Sequence, residues 1–200
     1  MRVASVLLAA GGGTRYRASL DAAKSGVPKT HKLLAVGADG RSVVEHAFAA
    51  MAAGSGDGPL IVVSGAVELP ELPNATQLHN PKWAEGQSTS LWTAIDLAVR
   101  LNCEAVVVGL GDQPRIAPGD WTALRNAMTL GASIGVATYD GRRRNPVGLA
   151  RSVWPLLPSN SDEGARSAMR AHPSLVTEVP CTGNSDDIDS VEDLLQWHLS

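Results

Sequence analysis

"LLAAGGGTRYRASLDAAKSGVPKTHKLL", residues 7–34, sets three glycines and Arg15 directly after an apolar run. The apolar run reads as the end of a first strand, and the glycines as the turn that leaves it. Such a turn presents backbone N–H groups and lets the chain approach a phosphate closely, so an anionic ligand is expected. Two familiar versions do not fit. The dinucleotide pattern GxGxxG is broken because Tyr16 stands where the third glycine belongs, and no GK[ST] follows as a Walker loop requires. Arg15 and the basic residues beyond it point to phosphate chemistry of another kind.

The whole chain suits one α/β domain. It has 200 residues, enough to bury roughly 70% of its extended surface. With 44% hydrophobic but only 4% aromatic residues, the core must be mostly Ala, Val and Leu. A net charge of −3 and a pI near 5.9 argue against bulk binding to nucleic acid or to a membrane, so cationic sites must be local. Cys103 and Cys181 lack metal-ligand spacing, which suits a reduced, cytoplasmic setting. The initial apolar run stops at glycine after nine residues, too short for a signal peptide or a membrane span.

Continuously apolar runs predict strands at 2–9, 59–65, 105–111 and 132–139. Helical patterns fall at 42–53, 88–101, 119–128, 161–171 and 191–199, the last opened by a capping box of Ser190 and Asp193. Strand and helix alternate, which predicts a Rossmann-like, mostly parallel sheet with helices on both faces, in a single domain over 1–200. Residues 16–31 are expected to be a long loop.

The stretch LAAGxGxR followed by a lysine resembles the signature of nucleotidyltransferases that activate sugars, polyols and the molybdenum cofactor. Three further stretches, "NPKWAEGQSTSLWTAIDLA" (80–98), "VVVGLGDQP" (106–114) and the C-terminal "RRRNPVGL" (142–149), "SDEGARSAM" (161–169) and "DIDSVEDL" (187–194), resemble its MobA/MocA-like branch. Nucleotidyl transfer attacks the α-phosphate of an NTP and expels pyrophosphate, so fixed cations and Mg²⁺ must hold the developing charge. The resemblance implies that Leu8, Ala9, Ala10, Gly11, Gly12 and Gly13 hold the nucleotide with Asn80, Gly86, Ser88 and Ser90. Ser88 equally reads as a helix N-cap. Arg15 and a lysine serve as catalytic cations. Lys32, followed by Leu-Leu, fits best; Lys29 is its rival and Lys24 a third option.

Asp112 ends an apolar strand at the carboxyl edge of the sheet, where α/β sheets bind ligands, and carboxylate oxygen suits Mg²⁺. The resemblance returns a second aspartate to the metal, either Asp187 or Asp189, since alternating residues of an extended segment face opposite sides. It places Gln113, Arg144, Asn145, Pro146, Asp162, Gly164 and Arg166 at the acceptor site. The arginines at 142–144 also read as a solvated loop. "LAAG" is usual in cytidylyl branches, so the expected reaction moves CMP from CTP to the phosphate of molybdenum cofactor, with a molybdoenzyme as a possible recipient. A sugar or polyol phosphate acceptor, or a non-catalytic cofactor-binding maturation factor, are the competing expectations.

Overall fold

The computed structural model describes residues 1–22 and 29–198. Among them, seven strands form one sheet in the order β3-β2-β1-β4-β6-β5-β7. The strands are β1 (Val3–Ala9), β2 (Leu60–Ser64), β3 (Ala75–His79), β4 (Ala105–Leu110), β5 (Ile134–Tyr139), β6 (Arg142–Ala150) and β7 (Val176–Pro180). Only β6 runs against the rest. Helices α1 (Thr14–Ala22), α2 (Val43–Gly54), α3 (Gln87–Arg100), α4 (Pro118–Thr129), α5 (Arg166–Ala171) and α6 (Val191–His198) surround it. No helix among the described residues is long and apolar enough to cross a membrane.

β1 is buried along its whole length, and its side chains divide by the strand's period of two. Val3, Leu7 and Ala9 join the core under α2 and α4, with Val44, Met51, Trp121 and Leu124. Ala4, Val6 and Leu8 join the opposite core under α3 and α5, with Leu91, Ile95, Val108 and Ala168. A third cluster, of Tyr16, Leu20, Val43, Ile188, Val191 and Leu194, seats α1 and α6 together.

Chain order runs outward from β1 to β2 and β3, then crosses back to β4 on the other side of β1. This reversal opens a crevice at the carboxyl ends of β1 and β4, the usual ligand position in an open α/β sheet. The register aligns Leu8 with Leu110, so the glycine turn and Asp112 leave the sheet side by side.

The structure corrects several sequence expectations. Residues 14–22 are helical, so the glycine turn does open a helix; Tyr16 and Leu20 lie four apart and bury one face of it. The expected loop is thereby shortened, and Lys24 lies outside the described residues. The arginines at 142–144, which also read as a solvated loop, begin strand β6. Its Pro146 cannot donate to a ladder, and β6 accommodates it where pairing to β5 skips from Val147 opposite Val136 to Arg144 opposite Ala137. β3 and β7 are edge strands too polar to register as apolar runs. The helix expected from 161 begins only at Arg166, because the chain turns through Gly164 at φ +53°.

α2 and α4 cross at Gly54, where an added Cβ would lie 2.6 Å from the Trp121 Cβ and closer still to the Pro118 carbonyl. Gly54→Ala is expected to cost about 1–3 kcal/mol by overpacking. That lowers the melting temperature by roughly 2–4 °C per kcal/mol in a chain of this size. Gly119→Ala, which faces open space on α4, should not lower it. Thermal denaturation of the two variants beside the parent checks the crossing; equal melting temperatures would contradict it.

Candidate active site

The glycine turn is shaped by what packs on it. Gly13 has φ +60°, and a Cβ there would stand 3.0 Å from the His31 Nε2, so both conformation and space call for glycine. At Gly12 a Cβ would stand 3.0 Å from the Trp83 ring. The turn therefore shows backbone to a cavity of about 500 Å³. Around it stand Leu8, Ala10, Gly11–Gly13, Arg15, Trp83, Gln87, Ser90 and Asp162, with Lys32, Asp112 and Asp189.

Lys32 begins a single 3-10 turn, Lys32–Leu34. The His31 Nδ1 accepts the Leu33 N–H at 3.3 Å, and Leu33 is sunk in the core beneath α2. This anchor turns Lys32 toward the crevice, where its Nζ donates to Asp112 Oδ2 at 2.6 Å and to Asp189 Oδ1 at 2.9 Å. The Lys32 side chain is only 9% exposed. Burial opposes its charge, but the Asp112 carboxylate, helped by Asp189, outweighs burial and holds the ammonium above its ordinary value. Arg15, 79% exposed, closes the cluster from outside with Nη1 at 2.7 Å from Asp189 Oδ2. Lys29 instead pairs with Asp21 at 3.3 Å on the surface, away from this cavity.

Asp189 reaches Asp112 because the returning chain is tied to the end of β4. The Ile188 N–H donates to the Asp112 carbonyl at 2.9 Å, and the Ile188 side chain is buried. Asp193 caps α6 by accepting the N–H groups of Asp189 and Ser190, as the sequence predicts. Upstream, buried Asp120 accepts the Tyr139 hydroxyl and the Thr182 N–H at 3.0 and 3.1 Å, fixing the path of the return. Asp187 faces the other way. Its Oδ1 accepts the Gln113 Nε2 at 2.6 Å, and burial, followed by the nearby Asp112 charge, pushes its carboxyl up.

A second cavity, about 560 Å³, adjoins the first along Leu8, Gln87 and Leu110. Gln113, Arg144, Asn145, Gly164, Arg166 and Asp187 line it over a floor that includes Leu91, Val108, Val136 and Val147. Arg143 and Arg170 also reach it but are paired with Glu178 and Glu163. Among the described residues, Arg144 and Arg166 have no carboxylate partner.

Other expected residues lie elsewhere than the sequence places them. Ala9 points into the opposite core against Gly111. Asn80 is buried, donating to Thr89 and Ser90 at 2.8 and 2.9 Å, so it braces the start of α3. Gly86, not Ser88, is the N-cap of α3; Ser88 is fully buried in the first turn. Pro146 sits in the β6 irregularity. Asp162 lines the glycine-turn cavity rather than the arginine-lined one, because the short α5 leaves 162–165 in a turn over α3. Gln87, at the seam of both cavities, escaped the sequence reading, which attended to the Gly-x-Ser around it.

Asp112 Oδ1 is buried without a partner, and the oxygens offered by Asp112, Asp189 and Asp187 are hard donors. No three such groups form a ready cage among the described residues. The carboxylate oxygens themselves are of the kind that would hold Mg²⁺, which takes one or two protein carboxylates and completes its shell with phosphate and water.

This site, at the switch point of a mostly parallel sheet, is that of a nucleotidyltransferase. The chain belongs to the MobA-like NTP transferase domain family, whose model matches residues 5–176. Its fold is shared with a nucleotidyl transferase from Methanothermobacter (Mth528), at TM-score 0.79 and 20% identity over 98% of this chain and 96% of that one. Rv0371c from Mycobacterium tuberculosis gives 0.77 and 22%, covering 100% and 98% of the two chains. That protein is also solved with manganese. A CMP-2-keto-3-deoxy-manno-octonic acid synthetase complexed with CTP gives 0.66 and 12%, covering 100% and 98%. At these identities the likeness is one of fold. Comparison with curated proteins finds no match.

Lys32→Ala leaves two carboxylates facing each other without their shared donor. The free protein should lose about 1.5–3 kcal/mol, the range for hydrogen bonds to charged groups. Because the folded pKa is raised, this stabilisation is fully present below 10.5 and fades as pH rises through the higher folded value. Lys29→Ala, in an exposed pair, should cost no more than about 1 kcal/mol. Urea unfolding of both variants at pH 7 and near pH 11 reads the difference.

Proposed function

We propose that this protein transfers CMP from CTP to the phosphate of molybdenum cofactor and releases pyrophosphate. The observation that carries the reading is the pair of adjoining cavities. One combines backbone, lysine and aspartates suited to a triphosphate, and the other combines Arg144 and Arg166, which have no carboxylate partner among the described residues, with an apolar floor. Their shared seam at Leu8, Gln87 and Leu110 lets two ligands meet.

The acceptor phosphate oxygen attacks the α-phosphorus, and the bond from that phosphorus to the bridging oxygen of pyrophosphate breaks. The backbone N–H groups of Gly11–Gly13 hold phosphate oxygens, and Lys32 and Arg15 neutralise charge that grows on the α-phosphate and the leaving group. Asp112 and Asp189 are the residues that would hold Mg²⁺, which supplies further charge neutralisation. Arg144 and Arg166 draw in the acceptor's phosphate. The apolar floor suits a flat heterocyclic acceptor better than a polyol, whose hydroxyls would lose water there without partners. The choice of CTP is supported by "LAAG" and by the fold neighbour solved with CTP. A cytoplasmic location is part of the same reading. Product handover to a molybdoenzyme follows from the acceptor.

Asp112→Asn should nearly abolish pyrophosphate release while the protein stays folded. Lys32→Ala should lower kcat/KM by roughly 10²–10³, the effect of removing one preorganised donor. Lys29→Ala should stay within about tenfold of the parent, because water screens it. CTP with Mg²⁺ should raise the melting temperature more than GTP does. A Lys29 variant more impaired than the Lys32 variant, or full activity of Asp112→Asn, would overturn the assignment.

A further inference from the structure

We propose that Lys32 and Arg15 keep the Asp112–Asp189 pair closed to a free divalent cation, and that the phosphates of a bound nucleotide open it. The inference rests on the reading of that pair as the metal site.

Two carboxylates have four oxygens, and cations occupy three of them. Lys32 Nζ holds Asp112 Oδ2 and Asp189 Oδ1, and Arg15 holds Asp189 Oδ2. Only Asp112 Oδ1 is left without a partner, and it is buried. A divalent ion arriving alone therefore meets one available oxygen and a four-residue cluster whose formal charges sum to zero. It must displace a 9% exposed ammonium from the two carboxylates that hold it. Losing its partners is costly for a charge buried as deeply as that of Lys32.

A nucleotide changes that balance. Lys32 and Arg15 line the same cavity as Gly11–Gly13, so triphosphate oxygens seated on the turn lie within their reach. Lys32 swinging to a phosphate frees two carboxylate oxygens and Arg15 one, while the phosphates add ligands of their own. Metal and nucleotide then assist each other by the same factor in both directions, as linkage requires. The device would keep the empty enzyme from sequestering cations and would assemble the charged site only around its substrate.

The test is Mn²⁺ binding to the full chain without nucleotide, read from the electron paramagnetic resonance signal of free Mn²⁺. The parent should bind weakly, and Lys32→Met should bind roughly 5–150-fold more tightly, the span of an ordinary coupling. Arg15→Gln changes an exposed side chain and so keeps the fold. It should tighten binding in the same direction, by less, which covers the case in which Lys32→Met does not fold. Water-proton relaxation should show the parent forming a ternary complex with Mn²⁺ and CTP. If the parent alone binds Mn²⁺ as tightly as both variants, the gating is wrong although the metal site stands. If Asp112→Asn leaves the Mn²⁺ affinity of Lys32→Met or Arg15→Gln unchanged, or no ternary complex forms, the metal-site reading itself fails and the gating with it.

Discussion

The parallel pairing of β1 with β4 is the constraint from which the site follows. β1 is covered on both faces, so its register cannot slip without moving apolar side chains to the wrong core. With Leu8 opposite Leu110, the Gly111 N–H donates to the Leu8 carbonyl at 2.9 Å, and Gly111 is close enough to Ala9 that an added Cβ would stand 2.9 Å from it. The glycine turn and Asp112 thus emerge within one strand spacing. Arg15 and Gln113 come with them, and the remaining functional groups are delivered to that point from more distant parts of the chain.

Three deliveries matter. Leu33 is a hydrophobic anchor whose burial swings Lys32 inward. Ile188 is a second anchor, tied by its N–H to the Asp112 carbonyl, and it carries Asp189 across from the C-terminal segment. β6 is the third. Inserted antiparallel between β4 and β5, it brings Arg144 and Asn145 to the acceptor side at the place where its pairing with β5 is interrupted. Such irregularities re-aim side chains that a regular ladder would alternate between faces.

The charges gathered there are opposed and mutually dependent. Lys32 is stable in a nearly closed position only because two carboxylates face it, and Asp112 keeps one buried oxygen unpaired. That arrangement is a poor resting minimum for a purely structural ion pair, since an orphaned buried acceptor is a cost. It suits a site whose partner set changes when phosphates enter.

Sequence alone determined what local chemistry could express. The apolar run before Gly11, the strand ending at Asp112 and the Ser190–Asp193 cap were legible because each depends on neighbours within a few residues. β6 was not, because the arginines at 142–144 read as a solvated loop until two flanking strands and an interruption at Pro146 give them a place. The start of α1 was missed because its two buried anchors, Tyr16 and Leu20, meet partners from the C-terminal segment. Lys32 and Lys29 are equivalent as types, three residues apart; the Leu-Leu after Lys32 favours it in the sequence, and the burial of Leu33 is what turns it toward the crevice. Likewise Asp187 and Asp189 alternate along the chain, and tertiary structure alone decides which one meets Lys32. The physical reason is the same in each case: which way a side chain faces is set by what packs behind it, and those partners lie far away in the sequence.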